Sequence, residues 1–207
     1  MKLHFALASP FARKVRVCAI ELGIDDKIEL VPTAVAPGTP NAEYSGRFNP
    51  IRRIPALTLS GGNTLVDSDV ICEYLCNFVG GNKLYPKAST RRWEVLSDHA
   101  LADGMTELAV LLRYETALRP EGLRWQALID DYLEKINSGL SRFESQIPEI
   151  SKRALDISQI ALACLLGYLD FRFVEQIPWR ENSPGLAAWY QEFSERPSMT
   201  NTRPDAS

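Results

Sequence analysis

Apolar and polar positions alternate with two different periods along this chain, and the change of period divides it. Leu3 to Leu7 is a short apolar run that predicts a strand. Ser9-Pro10 then opens a helix, with Ser at the N-cap and Pro at the first helical position. Val15, Cys18, Ala19 and Leu22 fall on one face of that helix, and Gly23 is its natural stop. Lys27 to Val31 predicts a second strand, followed by a Pro-, Gly- and Ala-rich loop from Pro32 to about Asn41. Ala56–Leu59 and Thr64–Val66 flank Ser60-Gly61-Gly62-Asn63, a hairpin signal. A helix starting at Asp67-Ser68 is expected to turn Val70, Ile71, Tyr74 and Leu75 inward.

The order is thus a β-α-β unit joined to a β-β-α unit. Gly80-Gly81-Asn82 and Pro86 break the pattern. Beyond them only the helical period persists, from about Thr90 to Arg119, Leu123 to Ser145, Ile157 to Phe173 and Gly185 to Glu195. The expectation is an α/β domain over residues 1–80 and an all-α domain over 88–207. At the head of the third long segment, Asp156-Ile157-Ser158-Gln159 has the pattern of a capping box, flanked by Leu155 and Ile160. Asp156 therefore reads as purely structural.

Composition excludes several classes. A net charge of −3, with both signs spread along the chain, lacks the basic stripe of a nucleic-acid binder. The longest apolar run, Ile160 to Leu169, has about half the ~20 residues that cross a bilayer, so no membrane partner is expected. The N-terminus has no apolar core or cleavage site of a signal peptide, which makes the cytoplasm the default compartment. The four cysteines form no C-x-x-C and only two histidines accompany them, so no metal is expected. Cys18, Cys72, Cys76 and Cys164 read as buried reduced thiols.

Three segments carry the candidate chemistry. Ser9 stands where free backbone N–H groups and the positive end of a helix dipole gather. With Arg13, Lys14 and Arg16 in the first turns, that point favours an anion; capping by Ser9 and solvation of the bases is the competing reading. A nucleophilic serine is disfavoured, since the G-x-S-x-G elbow is missing and neither His4 nor His99 is placed by a motif. In Arg52-Arg53-Ile54-Pro55-Ala56-Leu57 a proline stands at the start of a strand. A cis Ile54-Pro55 bond there would turn the Ile54 backbone toward an extended peptide ligand. Asp67-Ser68 is a second helix start, either a cap alone or a carboxylate ready to meet an ammonium.

Taken in order, these segments resemble the cytosolic glutathione transferase family over nearly the whole chain. Ser9-Pro10-Phe11 followed by Arg13-Lys14-Val15 is similar to the family's serine-type active-site segment, in a bacterial flavour marked by Leu101-Ala102-Asp103-Gly104. Asn49-Pro50-Ile51-Arg52-Arg53-Ile54-Pro55-Ala56-Leu57 resembles the segment before its cis-proline. Asp67-Ser68, Ile71 and Glu73-Tyr74-Leu75 resemble its γ-glutamyl-binding segment. Asp156, Gln159-Ile160 and Gly167-Tyr168-Leu169-Asp170-Phe171-Arg172 resemble its buried central helix.

The resemblance implies a thioredoxin-like first domain that binds glutathione, a helical second domain that lines the electrophile site, and a homodimer. It implies a detoxifying transferase that activates the glutathione thiolate for attack on small hydrophobic electrophiles. A non-catalytic relative that binds glutathione or a protein is the alternative. A thiol–disulfide oxidoreductase would need Cys in place of Ser9. By the resemblance Ser9 faces the glutathione sulfur. Ile54, at the Pro55 corner, pairs by its backbone with the cysteinyl unit. Asp67 and Ser68 hold the γ-glutamyl end and Arg53 reaches the glycyl carboxylate. Phe11, Met105, Leu108 and Leu112 line the electrophile, although the latter three at helical spacing equally suit ordinary core packing. Two departures stand out: residues 33–43 lack any Lys or Arg, and Arg52 occupies a position where the family commonly has Gly.

Overall fold

The computed structural model describes residues 1–81, 83–87 and 90–204; Asn82, at the expected interdomain break, and Ala88, at the expected start of the helical domain, lie outside them. The chain forms two compact units, Met1–Ala88 with Pro197–Ser207, and Ser89–Arg196. The last stretch thus clusters with the first unit, whereas the sequence pattern assigned it to the helical domain.

The first unit holds β1 (Lys2–Phe5), α1 (Pro10–Leu22), β2 (Glu29–Pro32), α2 (Ala42–Arg47), β3 (Ala56–Thr58), β4 (Thr64–Val66), α3 (Ser68–Phe78) and, from the C-terminal stretch, α9 (Pro197–Thr200). The sheet order is β2-β1-β3-β4, with β1 and β2 parallel and the other pairs antiparallel. This is the thioredoxin-like arrangement. Leu3, Val15, Cys18, Leu57, Ile71, Cys72 and Leu75 are fully buried where α1 and α3 cover the sheet. Val70, expected inward, is 52% exposed; the inward stripe of α3 is Ile71, Cys72, Leu75 and Cys76. All four cysteines are reduced and buried. Burial pushes the Cys72 thiol upward, and the neighbouring Cys18 adds to it, so Cys72 stays a neutral thiol that packs as a small apolar group.

The second unit is helical: α4 (Thr90–Arg113), α5 (Gln126–Ile150), α6 (Ile157–Arg172), α7 (Trp179–Asn182) and α8 (Pro184–Ser194). The first helix was expected to run to Arg119. It widens instead into a π-helical turn over Tyr114–Leu118, where the Thr116 hydroxyl donates back to the Leu112 carbonyl at 2.8 Å. Helix α6 is apolar on every side and buried from Ile157 to Leu169, as a helix at the centre of a bundle must be. Its start is the expected capping box: Asp156 Oδ1 accepts from the Ser158 and Gln159 amides at 3.0 and 3.2 Å, and Gln159 Oε1 accepts from the Asp156 amide. Glu144 of α5 accepts from the Gly185 and Leu186 amides at 2.9 and 2.7 Å and so caps α8. A Cβ at position 185 would stand 2.8 Å from that carboxylate, so a larger residue there would push Glu144 off its cap.

Candidate functional site

Sheet register brings the three candidate segments to one end of the sheet. His4 of β1 lies opposite Ala56 of β3, which lies opposite Val66 of β4. Because β3 runs against both neighbours, the end of β1, the start of β3 and the end of β4 share this edge. Ser9 follows the first, Ile54-Pro55 precede the second and Asp67-Ser68 follow the third.

Ser9 has an extended backbone, and its Oγ accepts from the Ala12 amide at 3.2 Å. The Ser9 carbonyl takes the Arg13 amide at 2.9 Å. Pro10 has no N–H, so Phe11 supplies the remaining donor of the first turn. Capping uses Ser9 Oγ as an acceptor only, which leaves its hydroxyl proton for a ligand. Ser9 and Phe11 are both half-buried.

The three bases of α1 do not build an anion pocket, contrary to one sequence-based reading. Arg13 is 5% exposed and donates to the Met199 carbonyl and Thr202 Oγ1, at 3.2 and 3.4 Å. Arg16 donates to the Asn201 carbonyl at 3.3 Å and lies over the Phe5 ring. Lys14 is buried and paired with Asp69 at the start of α3. Two of these bases hold the C-terminal stretch and the third ties α1 to α3.

The Ile54-Pro55 bond is cis. The corner before it is held by the Arg53 carbonyl, which accepts from the Tyr44 hydroxyl at 2.7 Å and from Asn49 Nδ2 at 2.9 Å. Asn49 Oδ1 in turn accepts the Ile51 amide at 3.1 Å. Tyr44 is buried, which pushes its phenol up to about 12 and keeps it a donor at any working pH. Neither residue was assigned a role from the sequence, and the Asn49-Pro50 turn pattern was the signal at hand. Tyr44 sits on α2, a helix that the sequence reading left unassigned. Arg52 has φ 53, the left-handed region, which explains why Gly suits this position in the family pattern. Arg53 is exposed, Ile54 is half-buried and Pro55 is buried.

Asp67 also has positive φ, at 75, and its carboxylate accepts the Asp69 amide at 2.8 Å as the cap of α3. It is exposed, while Ser68 is buried. In the helical unit Met105 and Leu112 are spent on packing. Met105 is 2% exposed and fills the space over Gly139, where a Cβ would stand 2.3 Å from its sulfur; Leu112 is 1% exposed. Of the three expected apolar wall residues, Leu108 alone keeps partly exposed surface.

The model of the glutathione S-transferase N-terminal domain matches residues 8–77, and that of the C-terminal domain residues 124–192. The chain belongs to the glutathione S-transferase family. It is 28% identical to the GST-like protein YibF of Escherichia coli (strain K12), over 99% of this chain and 98% of that one. A glutathione transferase family member from Pseudomonas fluorescens Pf-5, crystallised with bound glutathione, is 42% identical, with TM-score 0.94 and 99% of each chain covered. A second Pseudomonas fluorescens Pf-5 structure holds S-(propanoic acid)-glutathione; it is 40% identical, with TM-score 0.90 and 100% of each chain covered. No helix among the described residues is long and apolar enough to cross a membrane.

Proposed function

We propose that this chain is a glutathione transferase that stabilises the glutathione thiolate for attack on a small electrophile. The observation that carries the reading is the shared sheet edge, which gathers Ser9, Ile54-Pro55 and Asp67-Ser68. Binding of glutathione by the Pseudomonas relative supports it. Glutathione lies along this edge in our reading. The Ile54 backbone pairs with its cysteinyl unit, the Asp67 carboxylate and Ser68 hold the γ-glutamyl end, and Arg53 meets the glycyl carboxylate. Two copies of the chain pair in the working enzyme.

A free thiol titrates near 8.5, so at neutral pH most glutathione is protonated. Lowering that value by about two units requires roughly 2.7 kcal/mol of preference for the anion. A serine hydroxyl is too weak a base to remove the proton. It donates to the sulfur anion instead, together with the Phe11 amide and the N-terminal dipole of α1. With Arg13, Lys14 and Arg16 engaged elsewhere, these neutral donors carry the effect. The S-substituted glutathione in the second Pseudomonas structure makes carboxylate-bearing electrophiles part of the proposed substrate class, beside neutral apolar ones.

Calorimetric titration with glutathione, and initial rates with 1-chloro-2,4-dinitrobenzene, test the reading. Binding and turnover are expected. No binding refutes the site, and binding without turnover across a panel of electrophiles refutes catalysis.

A further inference from the structure

In a trans peptide the C=O of one residue and the N–H of the next lie in one rigid plane and point opposite ways. The Arg53-Ile54 peptide is trans. Whatever fixes the Arg53 carbonyl therefore also aims the Ile54 amide. Two buried side chains fix it. Tyr44, 2% exposed, donates its hydroxyl at 2.7 Å, and Asn49, 4% exposed, donates Nδ2 at 2.9 Å. A carbonyl oxygen has two lone pairs, and both are taken. The donors are themselves held. The Tyr44 ring packs against His4 and Phe48, with centroids 5.4 and 5.8 Å away. Thr33 spends its hydroxyl proton on the Val31 carbonyl at 3.0 Å, so its oxygen accepts from His4 Nδ1 at 3.1 Å and fixes that ring in turn. The Asn49 carbonyl accepts the Arg52 amide at 2.9 Å, while its Oδ1 accepts the Ile51 amide.

Two buried donors need some acceptor, and that need alone commonly explains such bonds. It does not explain the other end of the plane. Among the described residues neither the N–H nor the C=O of Ile54 has a hydrogen-bond partner. Ile54 is half-buried and stands just before β3, at the end of the sheet that Ser9 and Asp67 also share. A donor held this firmly and left unpaired is preorganised for a ligand, because it is ordered on folding rather than on binding.

We propose that Tyr44, together with Asn49, is a positioning residue for glutathione: through the Arg53 carbonyl it aims the Ile54 N–H at the peptide, without touching the ligand itself. The assignment rests on the transferase reading and adds to it the residues that set the direction of one of its contacts. Without the hydroxyl the peptide plane pivots more freely about its two Cα atoms, and binding must then arrest it. The loss falls on affinity, since in that reading the thiolate is stabilised elsewhere, at Ser9 and the Phe11 amide.

The test follows backbone amide exchange by NMR and glutathione binding by calorimetry, on the full chain, Tyr44→Phe and Asn49→Asp. Tyr44→Phe removes one hydroxyl and keeps the ring. Asn49→Asp keeps the acceptor for the Ile51 amide and removes the donor. In the unaltered chain, glutathione at about ten times its Kd is expected to slow exchange of the Ile54 amide about 10-fold. In each variant the affinity is expected to fall about 3- to 10-fold, the worth of one neutral hydrogen bond. Exchange of the free Ile54 amide should change as well, while the Asp69 amide, held by Asp67, exchanges as before. Equal loosening of both amides, or a lower urea midpoint with unchanged affinity, makes the hydroxyl purely structural and overturns the proposal. Should Tyr44→Phe fail to fold, Asn49→Asp carries the same test. If glutathione protects Ile54 and both variants bind it as tightly as the full chain, positioning falls and the transferase site stands. If glutathione leaves Ile54 unprotected in the full chain, or does not bind, the site falls and the proposal with it.

Discussion

Asp156→Ala should destabilise the helical unit by more than an ordinary lost cap. A typical N-cap removal costs about 0.5–2 kcal/mol, the range the capping pattern alone suggests. The structure raises that figure. Asp156 is 3% exposed, and its Oδ1 receives three donors: the Ser158 and Gln159 amides and the Ser158 hydroxyl, the last at 2.6 Å. Alanine would orphan all three where water has little access, and a buried unsatisfied donor costs about 1–3 kcal/mol. The hydroxyl can rotate to another acceptor, so the expected total is about 2–4 kcal/mol. Urea denaturation of the variant gives this directly from the shift in midpoint at constant slope. Asp156→Asn keeps the accepting oxygen, and Asp156→Ser keeps the capping-box type, so both should cost less than alanine. The glutathione-dependent rate per folded molecule should not change in any of the three. A loss below about 0.5 kcal/mol for alanine, within the scatter of surface substitutions, would refute the argument.

Three further outcomes follow from the first unit. Arg52→Gly removes a left-handed strain of about 1–2 kcal/mol but adds unfolded-chain freedom of about 0.5–1, so a gain of about 0.5–1 kcal/mol in urea stability is expected and a loss would contradict it. His4 is buried against Tyr44 and Phe48, and desolvation followed by the Lys2 charge lowers its pKa from 6.5. A depressed folded value means that stability is fully present above pH 6.5 and falls as the unfolded chain takes up the proton below it; His4→Gln should flatten the urea midpoint between pH 7 and 5, and an unchanged slope would sink the assignment. Asp67→Asn keeps the oxygen that caps α3 and removes the charge proposed for the γ-glutamyl ammonium; glutathione affinity should fall by about 1.5–3 kcal/mol in calorimetry, and unchanged affinity would remove Asp67 from the site.

The elements with strong local signals were legible in the chain: the Ser9-Pro10 start, the Gly23 stop with φ 71, the hairpin at Gly61-Gly62 and the Asp156 box. What escaped depended on partners distant in sequence. Helix α2 is six residues long and contains Gly46, too short and too weak in propensity to show a period, with only the Asn41 cap to mark it. The π turn after Arg113 answers to Glu115 reaching forward to the Trp125 amide, a contact no local pattern encodes. Arg13 and Arg16 look like solvated bases until the C-terminal residues Met199, Asn201 and Thr202 are placed against them. The site was legible as three segments. Their meeting at one sheet edge, and the grip of Tyr44 and Asn49 on the Arg53 carbonyl, required the tertiary structure.

Ser9 tests the central claim most directly, through the thiol pKa of bound glutathione in Ser9→Ala. Losing the Ala12 cap will lower the melting temperature whatever the chemistry, since Oγ accepts at 3.2 Å, so stability alone does not decide. The pH dependence of the rate does. If the hydroxyl donates to the sulfur, the variant's thiol pKa moves toward the free value near 8.5 and the neutral-pH rate falls about 10- to 100-fold, one decade per unit. A pH profile in Ser9→Ala that coincides with that of the unaltered chain would contradict the account.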